Sequence, residues 1–236
     1  MSKHRFFLML FSSLFLFGLV FMQFLLVSSA NGVDSPQADG LKAPDKDLVI
    51  IQTNMGTMTM RLYPKAAPKM VAQFKKLVEQ GFYNGLKFHR VIPNFMIQGG
   101  DFNSKFPDKS QWGLGRSNEV TVPAEFHAEL HHAPGIIAAA RTNDPNSAST
   151  QFYVCVGTPR WLDGQYTIFG ELNDASSLEV AKKISEVKRD SGDRPEVDVV
   201  MEKVYIKPSG ASAPAGAGKP SNSMTKTAPK KPQQEQ

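Results

Sequence analysis

Cysteine is nearly missing from this chain: 236 residues contain one, Cys155. No intramolecular disulfide can form, so a small cross-braced scaffold is excluded and the fold must rest on its core. Asn-x-Ser/Thr acceptors are absent too, which leaves the compartment open on that count. The phosphate-cradling patterns are also lacking. No glycine-rich loop runs into Lys-Ser/Thr, and no G-x-G-x-x-G opens a helix,. Cys155 itself sits in QFYVCV among apolar neighbours, which reads as a buried inert thiol rather than a nucleophile,.

Charge of one sign is in mild excess, +5 overall, but its placement argues against a nucleic-acid partner. Lys219, Lys226, Lys230 and Lys231 lie in a stretch rich in Pro, Ala, Ser and Gly. Such a composition buries too little apolar surface to fold, so residues 208–236 are predicted to be a disordered, mildly basic tail.

At the other end, FFLMLFSSLFLFGLVFMQFLLV runs from Phe6 to Val27 without a charge, after Lys3, His4 and Arg5. About 20 such residues match one bilayer crossing. Residues 1–30 therefore read as a secretory signal or an uncleaved transmembrane anchor, with the remainder of the chain outside the cytoplasm. Ser28-Ser29-Ala30 offers small residues for cleavage, while the length of the run favours a retained anchor,. Residues 31–46, NGVDSPQADGLKAPDK, read as a polar linker,.

Between these ends, the 41% hydrophobic content of the chain suffices for one sizeable core,. DLVIIQT and GTMTMRLY flank an Asn-Met-Gly turn, and Met58, Met60 and Leu62 alternate with polar residues, the pattern of a half-buried hairpin,. PKAAPKMVAQFKKLVEQG places Val71, Phe74, Leu77 and Val78 at helical spacing, with Pro68 in its first turn and Gly81 as its stop,. SSLEVAKKISEV repeats the pattern with Leu178, Ala181, Ile184 and Val187. The other periodic pieces are short and β-like: LKFHRVI, FMIQGG, GIIAAA, TQFYVCV, YTIFGEL and VDVVMEKVYI. About eight strands and two helices, without strand-helix alternation, predict a mainly β fold. A closed eight-stranded antiparallel barrel capped by the two helices, over residues 47–207, would remove exposed edges. Small barrels are filled by side chains, so a site must lie on the outer wall or rim.

Few groups are suited to acid-base or metal chemistry. His127 and His131 in FHAELHH are four apart, but Pro123 and Pro134 leave little room for a helix and a third ligand is not evident, so loop and packing roles are expected,. Asp101, Asp144 and Asp163 lie beside Gly or Pro and read as turn residues,. What stands out is FHRVIPNFMIQGGD, which inserts Arg90 and Gln98 into an apolar strand pair. A buried guanidinium costs several kcal/mol unless paired. An outward one needs no buried partner, and the barrel reading turns Arg90 outward. Beside it come Phe95 and Met96, Gln151 and Tyr153 in TQFYVC, and Trp161 and Leu162 in RWLDG. This is a surface built to bind rather than hydrolyse.

FHRVIPNFMIQGGD, AAARTNDPNSASTQFYVC, and WLDG followed by a strand and FG resemble the cyclophilin family of peptidyl-prolyl isomerases, over approximately residues 47–206. The resemblance implies an eight-stranded barrel with two helices and isomerisation of X-Pro bonds without a cofactor or metal. It implies Arg90 as the catalytic arginine and Phe95, Met96, Tyr153 and Leu162 as the proline pocket. Gln98 and Gln151 would flank the arginine, Ala140 and the backbone of Arg141 would receive an extended peptide, and Trp161 would sit at the rim. Tyr153 stands where many relatives have Phe, and Tyr166 replaces a histidine frequent in eukaryotic members. The expected partners are unfolded or proline-containing polypeptides, met by a monomer. A proline-peptide-binding chaperone or scaffold with incidental isomerase activity is the alternative.

Overall fold

The structure, a computed structural model, describes residues 36–208. The predicted signal or anchor and the tail from residue 209 onward lie outside the described residues. Among the described residues no helix is long and apolar enough to cross a membrane.

Alternating apolar residues build the strands β1 (Leu48–Thr53), β2 (Gly56–Leu62), β3 (Arg90–Ile92), β4 (Met96–Gly99), β5 (Ile136–Ala139), β6 (Phe152–Cys155), β7 (Ile168–Leu172) and β8 (Met201–Lys207). They form one sheet in the order β3-β4-β6-β5-β7-β2-β1-β8, and every pairing in it is antiparallel. Met58, Met60 and Leu62 point to its inner face as the period of two requires,.

Three α-helices accompany the sheet among the described residues. In α2 (Pro68–Glu79), Met70, Val71, Phe74, Leu77 and Val78 are buried. The helix starts at Ala67, which has no capping side chain. Glu125 supplies the cap from a distant loop, accepting from the N–H groups of Lys69 and Met70, both at 3.0 Å, where the helix dipole favours an anion. In α3 (Ala175–Ser185), Asp174 caps the first turn, accepting from the Ser177 N–H at 2.8 Å. Its face is rotated from the one predicted. Ala181 and Ile184 are fully buried, but Ser177 and Ser185 share the inner face with them while Leu178 and Val187 are half-buried. The reason is a long-range bond, in which Ser177 Oγ accepts from the Thr59 N–H at 2.9 Å. A Cβ at Gly56 would come within 2.9 Å of Val180, so the hairpin turn must stay bare for α3 to pack on it.

Two expectations about the sheet are corrected. The sheet is an open, curled one rather than a closed barrel, because β3 and β8 do not pair as strands. The predicted strand LKFHRVI contributes only Arg90–Ile92 to the ladder. The chain ahead of it leaves α2 through turns at Gly81 and Gly85, both at positive φ, and reaches β8 through one bridge, Lys87 to Val200, and bonds such as Phe88 N–H to Val199 C=O at 3.0 Å. Residues 36–46, predicted as linker, lie docked on the domain. α1 (Pro36–Leu41) forms there with Ala38 buried, and Lys75 holds Asp45 at 2.8 Å and Asp47 at 3.3 Å. With Ala38 buried, Leu41 packed on an apolar cluster and two carboxylates opposite a lysine, this stretch has reason to settle,.

Candidate active site

The strand register determines what shares the outer face. Arg90 stands opposite Gln98, Gln98 opposite Tyr153, and Tyr153 opposite Ala138, so one rung crosses β3, β4, β6 and β5. Neighbours one residue away, Val91, Ile97, Val154 and Ile137, point into the inner core,. Met96, two residues before Gln98, joins Tyr153, Cys155, Ala138, Ile136 and Ile168 in a second apolar cluster against which Phe95, Ala140, Leu162 and Tyr166 pack.

This brings the predicted residues together. Gln98 Nε2 donates to Gln151 Oε1 at 3.0 Å, and Gln151 Nε2 donates to the Gly113 carbonyl at 3.2 Å. The Ala140 N–H donates to the Gln151 carbonyl at 2.9 Å. Trp161, 65% exposed, faces Phe95 with ring centroids 5.7 Å apart. The side chain of Arg141 turns from the rung toward the next turn, stacking over Tyr166 at 4.5 Å and donating from Nε to the Gln165 carbonyl at 3.0 Å. The tandem glycines of the motif have a reason as well. Gly100, at φ +89°, lies so close to the Thr150 carbonyl that a side chain there would strike it,.

Arg90 is outward, its side chain 43% exposed, but it is not alone: Asp193 Oδ2 lies 3.5 Å from its Nε. Asp193 sits in the loop between α3 and β8 at φ 63°, its carbonyl accepts from the Val91 N–H at 2.9 Å, and its other carboxylate oxygen pairs with Arg189 at 3.2 Å. Arg90, expected to turn outward without need of a buried partner, thus has a carboxylate beside it that sequence reasoning missed. Its signal was the pair of Asp residues alternating with Arg189 and Arg194 in the loop RDSGDRP. His89, next to Arg90, is buried with neither ring nitrogen hydrogen-bonded. Burial and then the charges of Arg194 and Arg90 pull its pKa down to about 4, so it is a neutral imidazole.

Asp101 and Asp144 make the turn contacts expected of them, accepting from the N–H groups of Asn103 at 3.2 Å and Asn146 at 2.9 Å. Asp163 does more than turn the chain. It binds the His132 N–H at 2.7 Å and His132 Nδ1 at 2.8 Å, with His131 Nδ1 at 2.9 Å and Arg160 at 3.5 Å. His127 lies against the Ala66 carbonyl at 2.7 Å. Among the described residues no group of three or more His, Cys, Asp or Glu is arranged to hold a metal. Cys155 is fully buried, and that burial, followed by Asp163, pushes its thiol up to about 12, which makes it inert,.

A model of the cyclophilin type peptidyl-prolyl cis-trans isomerase/CLD family matches residues 48–206. The chain belongs to the cyclophilin family. Peptidyl-prolyl cis-trans isomerase ppi1 of Schizosaccharomyces pombe is 38% identical over 151 residues, covering 62% of this chain and 90% of that protein. Human peptidyl-prolyl cis-trans isomerase-like 1 is 38% identical over 167 residues, 69% of this chain and 92% of its own. Among solved structures, a cyclophilin type peptidyl-prolyl cis-trans isomerase of Cryptosporidium parvum superposes with a TM-score of 0.61 at 27% identity, covering 68% of this chain and 97% of its own. A cyclophilin of Hirschia baltica gives 0.55 at 28%, covering 75% and 80%. This cyclophilin is therefore a peptidyl-prolyl cis-trans isomerase, with the mainly β, antiparallel fold of its relatives.

Proposed function

We propose that this cyclophilin isomerises X-Pro bonds on the outer face of its sheet, with Arg90 as the catalytic donor and the cluster around Met96 and Tyr153 as the seat of the proline ring. The observation that carries the reading is the single rung Arg90, Gln98, Tyr153, which sets a charged donor beside an apolar cluster.

Rotation about an X-Pro bond meets a barrier of about 18–20 kcal/mol, because resonance gives the C–N bond double-bond character. No bond breaks, so the protein has only to bind the twisted amide better than either planar form. As the amide twists, its nitrogen pyramidalises and its lone pair becomes able to accept a hydrogen bond; a planar amide nitrogen accepts poorly. The guanidinium is always charged and offers rigid donors. With Nε facing Asp193, the terminal Nη groups are the ones left for the substrate.

One charged hydrogen bond contributes roughly 1.5–3 kcal/mol, whereas a thousandfold acceleration needs about 4 kcal/mol. The pocket supplies the balance. Phe95, Met96, Tyr153 and Leu162 would clamp the ring and exclude water, Gln98 and Gln151 would hold the flanking peptide, Ala140 and the backbone of Arg141 would receive its extension, and Trp161 would cover the rim. The C. parvum relative has been solved in the presence of the dipeptide Ala-Pro, which supports a proline-containing peptide as the substrate class.

The substrates are exported polypeptides, and the protein works outside the cytoplasm, held at the membrane by residues 1–30 or released after their cleavage, as a monomer. The uncharged run from Phe6 to Val27 supports this placement,. Cell fractionation with N-terminal sequencing tests it: a mature chain beginning near Asn31 overturns the anchor, and a cytosolic chain overturns both forms. For the chemistry, exchange NMR on an Ala-Pro peptide is the test. Arg90→Ala is expected to keep the fold and lose at least about tenfold in turnover; near-wild-type exchange sinks the role of Arg90. Undiminished binding of the peptide without any acceleration by the wild-type chain would favour a binding module.

A further inference from the structure

Beneath the proposed proline pocket runs a chain of three side chains, two of which, Asp163 and His132, the isomerisation scheme leaves without a task. Asp163 Oδ1 faces His132 Nδ1 at 2.8 Å, and His132 Nε2 faces the Tyr153 hydroxyl at 2.8 Å. His132 has no exposed surface and Tyr153 is 5% exposed; their rings stack at 12°. The three residues come from separate parts of the chain: the segment ahead of β5, the turn after Leu162, and β6.

The proton positions follow from the partners. Burial works to raise the pKa of Asp163, but hydrogen bonds from the backbone and ring of His132 and from His131 outweigh it, so the group is a carboxylate and can only accept,. His132 Nδ1 therefore carries a proton. Burial drives the Tyr153 phenol far up, reinforced by Cys155 and Tyr166, so the hydroxyl keeps its proton and donates it to a neutral Nε2. Burial lowers the pKa of His132 against the pull of Asp163, which favours that neutral form. The hydroxyl has no other hydrogen-bond partner among the described residues. Adding a proton to Nε2 makes it the donor, so the Tyr153 hydroxyl must accept in its turn and point its own proton away, where nothing among the described residues receives it,.

We propose that Asp163 and His132 are positioning residues of the isomerase, holding the Tyr153 ring as a wall of the proline pocket, and that protonation of His132 loosens this wall so that X-Pro substrates bind less tightly in acid. The inference rests on the reading of the outer cluster as the proline pocket. The charged or titratable groups facing His132 are Asp163, Arg160, His131 and Tyr153, and those facing Tyr153 beyond it are Cys155, Tyr166 and Arg141. His131 is the one other imidazole among them, and it is exposed.

The test is the pH dependence of KM and kcat of the full chain on an Ala-Pro peptide, by exchange NMR between about pH 7.5 and about pH 5. KM is expected to rise by at least about threefold in acid while kcat changes by less than about twofold. Tyr153→Phe, which keeps the ring and removes the hydroxyl, should flatten the KM profile; His131→Asn should leave the acid rise in place. A flat wild-type profile, or an acid rise that persists unchanged in Tyr153→Phe, overturns the proposal. So does a ¹⁵N spectrum showing the proton of neutral His132 on Nε2. None of these outcomes touches the role of Arg90, which the Arg90→Ala comparison decides separately.

Discussion

The two faces of the curled sheet are both apolar, yet they are closed in different ways. On the inner face Phe74 packs against Tyr83, Phe152 and Phe169 with centroids 5.0, 5.5 and 5.3 Å apart, and α2 and α3 exclude water. On the outer face the cluster around Met96 and Tyr153 is as apolar, but its cover stops short: Phe95 and Leu162 are half-buried, Trp161 is exposed, and Arg90 stands at the edge. Apolar alternation thus marks burial on both sides of a strand without saying which side is core. What separates them is whether something in the chain covers the surface or leaves it for a ligand.

Substitutions on the two faces should therefore separate stability from activity. The largest effect is expected from Phe74→Ala, a cavity among aromatic rings, which should cost about 3–5 kcal/mol in urea unfolding; the exchange rate per folded molecule should change little.

Next comes His89, buried at the start of β3. Its folded pKa of about 4 lies below the unfolded value of 6.5, so the unfolded chain binds the proton first and stability falls as pH drops from 6.5 towards 4. By linkage the loss at pH 5 is about 2 kcal/mol. His89→Phe should remove most of that acid sensitivity, as read from urea midpoints at neutral and acid pH; an unchanged difference between the two would count against it.

On the outer face, Arg90→Lys keeps the charge but not the planar fork, and should lower kcat by about tenfold with a urea midpoint near that of the wild type. Asp193→Asn should be the mildest. Asn tolerates the positive φ of that position,, so the loop survives while the ion pair to Arg90 is lost. Because that pair is partly exposed and worth little in stability, a kcat lower by about twofold to fivefold, with KM and the urea midpoint held, is the expected signature of a residue that aims the guanidinium. A loss confined to the urea midpoint would make Asp193 merely structural.

Much of this was legible from residue order. The eight strand segments and the two longer helices follow from periods of two and 3.6, which are local properties of the backbone. That Met96 shares a face with Gln98, and Gln151 with Tyr153, needs only the pleat. The rotated face of α3 was not legible, since the bond between Thr59 and Ser177 spans 118 residues. Nor was the link from Tyr153 to His132, although a hydroxyl in an apolar strand and a second histidine in LHHAPG were signs that some polar partner was needed,.

Residue order by itself determined the strand segments and the two longer helices, the buried face of α2, the outward turn of Arg90 and Gln98, and the family, because each is written in neighbours a few positions apart or in one motif. The tertiary structure alone decided that the sheet stays open between β3 and β8, that Asp193 comes to Arg90, and that Asp163 reaches through His132 to Tyr153. Those outcomes depend on which distant segments meet. A loop carboxylate or a buried imidazole finds its partner only once the whole sheet has curled and brought the two within hydrogen-bonding distance.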